Sequence, residues 1–360
     1  MATPLLPGAS AASALSRREA LVAGAGVLLW PALVDAQGPP VVHQRPFLFG
    51  SPAEVLHRAD AGELATRAVP RLFSGLQQMN DRWNAWKPGE LRTLNLALRA
   101  GRTLQITPSL TALIQAATRL ERASSGMFNP GIGGAVGRWG FHDDVMQAGS
   151  RPRDADLAPW RAAAPSLSQL EWRGNELRSR NPYLQLDFGA YAKGVAVDWA
   201  LDFLRTQGVA DAVVNLGGNL AAMGRAGARG WRIGIRDPGA AGLLASLTTH
   251  GREAVVTSGS YERYRVLDGE RCTHILDPST VAPAGQLVSV TVVHRSAGLA
   301  DAAATALLVA GPRRWRQVAE GMGVSEVLLI GRDLRGEVTA SLAPRLRFAD
   351  PAWQARVGVV

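Results

Sequence analysis

The chain of 360 residues contains a single cysteine, Cys272. One thiol excludes an intramolecular disulfide and a cysteine-based zinc site. Basic runs are missing as well. The net charge is +9, but the excess is mostly arginine scattered along the chain. No run of five or more basic residues occurs, and arginine is not interleaved with aromatics. The sequence therefore offers no nucleic-acid surface. It has no internal repeat and no long linker. With 47% hydrophobic and 19% charged residues, it fits a globular protein rather than a disordered one.

Long apolar runs are lacking too. The longest candidate, Ala20 to Val34 in SRREALVAGAGVLLWPALVDAQG, is too short to span a bilayer comfortably. It follows the pair Arg17 and Arg18 and precedes a small-residue cleavage site ending at Ala36. Residues 1–36 read as a twin-arginine export signal, outside the fold. No cysteine follows the apolar stretch, which excludes a lipoprotein anchor. The expectation is a soluble periplasmic protein with one domain over residues 37–360.

ITPSLTALIQAATRLERASSG predicts a helix, with Thr107 as cap, Pro108 in the first turn and Gly126 as stop. Residues 150–182 read as loop plus a short hairpin. Beyond them, LQLDF, DAVVNL, WRIGIRDP, EAVVTSG and VSVTVVH read as strands. AYAKGVAVDWALDFLRTQG and GLADAAATALLVAGP read as helices, the second closed by Gly311 and Pro312. RYRVLDGERCTHILDP is a hairpin with Asp268-Gly269 as a type I′ turn, and SEVLLIGRDLRGEVTAS is another. Consecutive strands joined by hairpins, mixed with helices, argue for an α+β fold with largely antiparallel sheets.

Four polar or glycine-rich stretches interrupt the apolar pattern: DFGAYAKG, NLGGN, TSGSY and HILDP. Glycine after a strand lets backbone approach a ligand closely. Singly, each stretch is also an ordinary turn. Asp301 and Thr305 in ADAAAT stand four apart, hence on one helical face. They present two hard oxygens of the kind Mg²⁺ takes. The plainer alternative is that Thr305 bonds back to a carbonyl one turn up while Asp301 caps a neighbour.

Taken in order, DFGAYAKG, VVNLGGN, WRIGIRDP, TSGSY, HILDP, SVTVV and ADAAAT resemble the ApbE family of FAD:protein FMN transferases. Upstream, MNDRWNAWKPGELRTLN and SSGMFNPGIGGAVGRWGF resemble further family segments. The resemblance implies an ApbE-like, T-fold-like architecture with packed helices. It implies cleavage of FAD and transfer of FMN to a Thr or Ser hydroxyl of a target protein, with release of AMP. The target would be a redox protein, membrane-bound in some cases. Hydrolysis of FAD to FMN and AMP, or flavin binding without turnover, are the alternatives.

By position in these motifs, Asp301, Thr305 and the carbonyl of Ala190 correspond to Mg²⁺ ligands. Phe49, Trp86, Met127, Phe128, Asn129, Asp187, Lys193 and Leu276 correspond to FAD contacts. His274 is the candidate base or phosphate ligand, with an ordinary pKa near 6.5. A structural histidine paired with Asp277 fits its position equally. Several positions depart from the family pattern. Val281 stands in DPSTVAP where glycine is usual, and Asn129 replaces the usual Asp. GSPAEV replaces a G-T opening, and NAWKPGELRTLN is about one residue short with no Ser before the Glu.

Overall fold

A computed structural model describes residues 27–29, 41–142 and 146–360. Its centre is a nine-stranded sheet whose strands lie side by side in chain order. They are β1 (Val41–Leu48), β2 (Ser51–His57), β3 (Ala212–Leu216), β4 (Asn219–Met223), β5 (Glu253–Gly259), β6 (Leu287–His294), β7 (Glu326–Gly331), β8 (Gly336–Val338) and β9 (Val357–Val359). Every neighbouring pair is antiparallel except β8 with β9. The α+β, largely antiparallel expectation is met.

The strands are apolar on both faces because both faces are covered. In β3, Val214 and Leu216 point into one core and Val213 into another; in β5, Ala254 and Val256 oppose Val255 in the same way. The first core is closed by helices α1 (Gly62–Trp83), α2 (Pro108–Ala123), α3 (Ala192–Thr206) and α4 (Ala297–Gly321). The second is closed by a small sheet containing Arg232–Arg236 and Leu243–Thr248. A third cluster, including Ile132, Phe141, Leu276 and Val281, packs beside the helix layer.

Local chemistry explains most boundaries. Thr107 caps α2 by accepting from the Leu110 amide at 3.3 Å, with Pro108 at the first position. Asp268 and Gly269 have φ of 50° and 79°, as a type I′ turn requires. Three expectations need correction. LQLDF is no strand; within it only Gln185 makes an isolated bridge, to Ile132. The region 150–182 holds a helix, Asp154–Ala163, ahead of its hairpin. Pro159 within that helix obscured its periodicity. Finally, Gly311 breaks α4 with φ 66° and ψ −177°, but helix resumes at Pro312.

The twin arginine and the cleavage site lie outside the described residues. Of residues 1–36, only Val27–Leu29 is described, as a strand paired with Ile233–Ile235. Cleavage after Ala36 would remove that pairing.

Candidate active site

The packing of α3 against α4 sets one end of the site. Gly194, in the first turn of α3, has no side chain to spare: a Cβ there would fall 2.3 Å from the Ala297 carbonyl oxygen. Its amide donates to Asp301 Oδ2 at 3.0 Å. Asn219 Nδ2, at the start of β4, donates to the same oxygen at 3.1 Å. One turn further along α3, Asp198 accepts from Ser296 Oγ at 2.8 Å and from the amides of Ala297 and Gly298 at 3.0 Å. A carboxylate there complements the positive N-terminus of α4 and fixes the register of the two helices. Asp301 is therefore buried, and burial raises its pKa; the Lys193 charge and the bonds from Gly194 and Asn219 act the other way.

Asp301 thus does cap a neighbour, the buried Gly194 amide in the first turn of α3. Both hydrogen bonds fall on Oδ2. The back-bond that the plainer alternative gave Thr305 is absent among the described residues. Its hydroxyl pairs sideways with Ser258 Oγ of β5 at 3.2 Å and lines an open cleft. Among the described residues, no three His, Cys, Asp or Glu side chains cluster to hold a metal. A cation here would need mixed oxygen donors.

The cleft has a volume of about 550 Å³, within the range of sites for organic cofactors. Its walls come from both the helix-side core and the third cluster. Every expected site residue except Asp301 lines it: Phe49, Trp86, Met127, Phe128, Asn129, Asp187, Ala190, Lys193, His274, Leu276 and Thr305. Asp301 does not line it; it accepts from Gly194, the residue after cleft-lining Lys193, and stands one turn before Thr305 on α4.

The loop into α3 is stiffened by its own polar groups. Asp187 Oδ1 accepts from the Gly189 amide at 2.8 Å, and Oδ2 from Trp86 Nε1 at 3.2 Å. Lys193 Nζ donates to the Gly189 carbonyl at 2.8 Å. Asp187 thus orients Trp86, whose ring lies over Gly137 and beside His142. Phe128 is almost fully buried and meets Tyr191 edge-on, so it is wall rather than rim.

Asn129 lines the cleft, but its amide is spent on structure. Nδ2 donates to the Pro165 carbonyl at 2.8 Å, and Oδ1 accepts from the Gly131 amide at 2.8 Å. An ionised Asp has no proton for Pro165, which accounts for asparagine here. Val281 does adopt the left-handed conformation that favours glycine, with φ 57°. It is held there by burial and by Trp139 Nε1 donating to its carbonyl at 2.8 Å. A left-handed β-branched residue costs about 1–2 kcal/mol.

His274 is half-buried in the cleft wall. It does not pair with Asp277, whose Oδ1 takes the Ser279 amide and hydroxyl. Its Nδ1 lies 2.9 Å from the Arg263 carbonyl. A carbonyl only accepts, so Nδ1 carries the proton and Nε2 keeps a lone pair. The ordinary pKa does not survive: desolvation, with the charges of Arg263 and Lys193, pushes it down to about 4. The ring is a neutral base at physiological pH.

Sequence reasoning left Gly194, Asn219, Ser258 and the cleft-lining Phe47, His142 and Arg263 unassigned. The signals for Asn219 and Ser258 were their places in NLGGN and TSGSY. Phe47 and His142 carry no local signal.

The ApbE family model matches residues 50–329. A FAD:protein FMN transferase of Rhodobacter capsulatus is 40% identical over 347 residues, covering 96% of this chain and 65% of that protein. The Vibrio cholerae enzyme of the same name is 33% identical, covering 76% and 81% respectively. Among solved structures, the ApbE protein of Thermotoga maritima superposes with a TM-score of 0.77 at 23% identity, over 86% of this chain and 99% of that one. The flavin transferase ApbE of Vibrio cholerae gives 0.70 at 28% identity, over 85% and 100%. With the family pattern running through the cleft and most of the core, the chain belongs to the ApbE family.

Proposed function

We propose that this protein transfers FMN from FAD to a Thr or Ser hydroxyl of a target protein. A phosphoester forms, and AMP leaves. The observation that carries this reading is one cleft of cofactor size holding a half-built oxygen site at one end and a neutral imidazole in its wall. The relatives named FAD:protein FMN transferase support it.

The chain's own groups divide the work. The incoming hydroxyl oxygen bonds to the FMN phosphorus as the bond to the AMP phosphate breaks. His274, held neutral with Nε2 unprotonated, accepts the hydroxyl proton; such a base contributes about 10²–10⁴-fold. Trp86, fixed by Asp187, offers a flat apolar surface to a flavin or adenine ring. The residues also fit Mg²⁺: Asp301 has a carboxylate oxygen beyond the two bonds on Oδ2, Thr305 turns its hydroxyl to the cleft, and Ala190 lies on its wall. When bound, Mg²⁺ neutralises the diphosphate and activates phosphorus.

Export rests on Arg17 and Arg18, the apolar stretch and the site at Ala36. Together they support a periplasmic location reached by the twin-arginine route. No helix among the described residues is long and apolar enough to cross a membrane. The acceptor is a redox protein, membrane-bound or not, with an accessible Thr. Incubation with FAD, Mg²⁺ and a Thr-bearing acceptor tests the reading. Flavin fluorescence on the acceptor in a denaturing gel supports transfer. Free FMN with an unlabelled acceptor would mean a hydrolase, and intact bound FAD a carrier.

A further inference from the structure

A second cavity of about 330 Å³ adjoins the cleft. The turn after β-bridge residue Leu276 separates them. Leu276 and Pro278 face the cleft, while Asp277 and Thr280 face the second cavity. Helix α4 is likewise shared: Thr305 serves the cleft, and Leu308, Val309 and Ala310 serve the cavity. From Thr305 to these residues is about 6 Å along a helix. The cavity therefore begins beside the oxygen-bearing end of the cleft.

Its floor is apolar, from Pro283, Ala284, Leu308 and Val309, and its rim is cationic. After the break at Gly311, Arg313 and Arg314 line it. Arg332 reaches the same rim: a Cβ on Gly285 would stand 3.9 Å from its guanidinium. All three arginines are exposed, and none makes an ion pair or side-chain hydrogen bond among the described residues. The one acid present, Asp277, is already engaged by Ser279. Elsewhere the arginines of this chain are commonly paired, as Arg252 is with Asp198 and Asp202, and Arg345 with Glu253 and Glu326. Three unpaired guanidinium groups around one concavity mark a surface that awaits negative charge.

We infer that this cavity docks the acceptor protein, through carboxylate side chains close in sequence to its reactive hydroxyl. The inference rests on the transferase reading. An acceptor threads only its hydroxyl into the cleft; the flanking residues must lie on the surface beside it. The cavity wall and its arginine rim stand about 6 to 12 Å from Thr305 along α4, which at about 3.3 Å per extended residue puts a carboxylate about two to four residues from the acceptor Thr. The apolar floor takes the methylene or neighbouring aliphatic part of that segment. The net charge of +9 steers an acidic partner toward the enzyme.

The test measures transfer at saturating FAD with short synthetic Thr peptides that carry Asp, Asn or Lys near the Thr. The wild-type protein should show the lowest KM for the Asp peptide. In R313E/R314E, that KM should rise about tenfold, with FAD binding unchanged, and the Lys peptide should become the better acceptor. Equal KM values for the three peptides in wild-type protein would overturn the proposal without any variant having to fold. So would an unchanged Asp-peptide KM in the double variant. Loss of binding to vesicles of anionic phospholipid with peptide KM unmoved would assign the rim to a membrane, and would also overturn it. Wild-type protein that labels no peptide, and no protein acceptor either, would break the transferase reading itself.

Discussion

The two ends of the cleft are built on opposite plans. At the oxygen end, Asp301, Thr305, Gly194, Asn219 and Ser258 sit on two helices and two strands, and each polar group has a named partner. The opposite wall is made by loops. Phe47 stands at the irregular end of β1 and Phe49 in the β1–β2 turn, with φ of 57° and 53°, and Trp86 follows α1. Phe47 is 58% exposed, against 2% for Asp301. Under the proposed transfer reaction, the difference follows from what each end must do. Holding a small hard cation demands fixed oxygens, so the supporting bonds are many and buried. Packing on a flat ring demands only apolar area, which several side chains share and which tolerates movement.

Substitutions at the oxygen end should therefore cost the most. Asp301→Asn keeps an acceptor for Gly194 and Asn219 but removes the charge. Turnover should fall about a thousandfold or more while the melting temperature stays near that of the wild type. Asp301→Ala strands two buried donors and should also lose about 1–3 kcal/mol of stability. Wild-type turnover by Asp301→Asn would remove the carboxylate from the site's chemistry.

Between the two ends, His274→Gln should slow transfer about 10²–10³-fold at neutral pH. In the wild type the imidazole is neutral above about 4, so activity should fall as pH drops through that value. A pH–rate profile identical in both proteins would deny His274 the role of base. Any acid limb left in His274→Gln belongs to another group, foremost Asp301, whose pKa burial raises. Folding also lowers the His274 pKa, so the unfolded chain binds more protons between about 4 and 6.5. This group should make the protein lose stability as pH falls through that window, a loss that thermal melts would show shrinking in the variant.

Gly194→Ala probes packing. Its new Cβ would sit 2.3 Å from a backbone carbonyl, so α3 and α4 must part, at a cost of about 1–3 kcal/mol. A chemical denaturation curve unchanged from the wild type would show that the helices are less tightly apposed. At the tolerant wall, Trp86→Ala should weaken FAD binding about two- to tenfold, read by flavin fluorescence, with little change in kcat. An effect as large as that of Asp301→Asn would erase the contrast between the ends.

The same contrast governs what the sequence could reveal. Asp301 and Thr305 were legible because an i, i+4 pair of oxygens stands out on an alanine-rich helix. The hairpins were legible because Asp268-Gly269 has few other uses. Helix Asp154–Ala163 was hidden by Pro159 and a single buried leucine, Leu157. Gly194 gave no warning, since its role depends on Ala297, a residue of another helix. The depressed pKa of His274 arises from enclosure and from the charges of Arg263 and Lys193, both distant in sequence. That Asn129 also braces the Pro165 carbonyl could not be read, because that partner lies 36 residues away. Tertiary apposition, rather than local pattern, decides each of these cases.

The most direct measurement is the binding of Mn²⁺, a paramagnetic substitute for Mg²⁺, to the FAD-loaded protein, followed by electron paramagnetic resonance. The wild-type chain should take up the ion at a saturable site, and Asp301→Asn should lose that uptake while still binding FAD. Equal uptake by both proteins would contradict the assignment of the α4 oxygens as the cation's hold on the cleft.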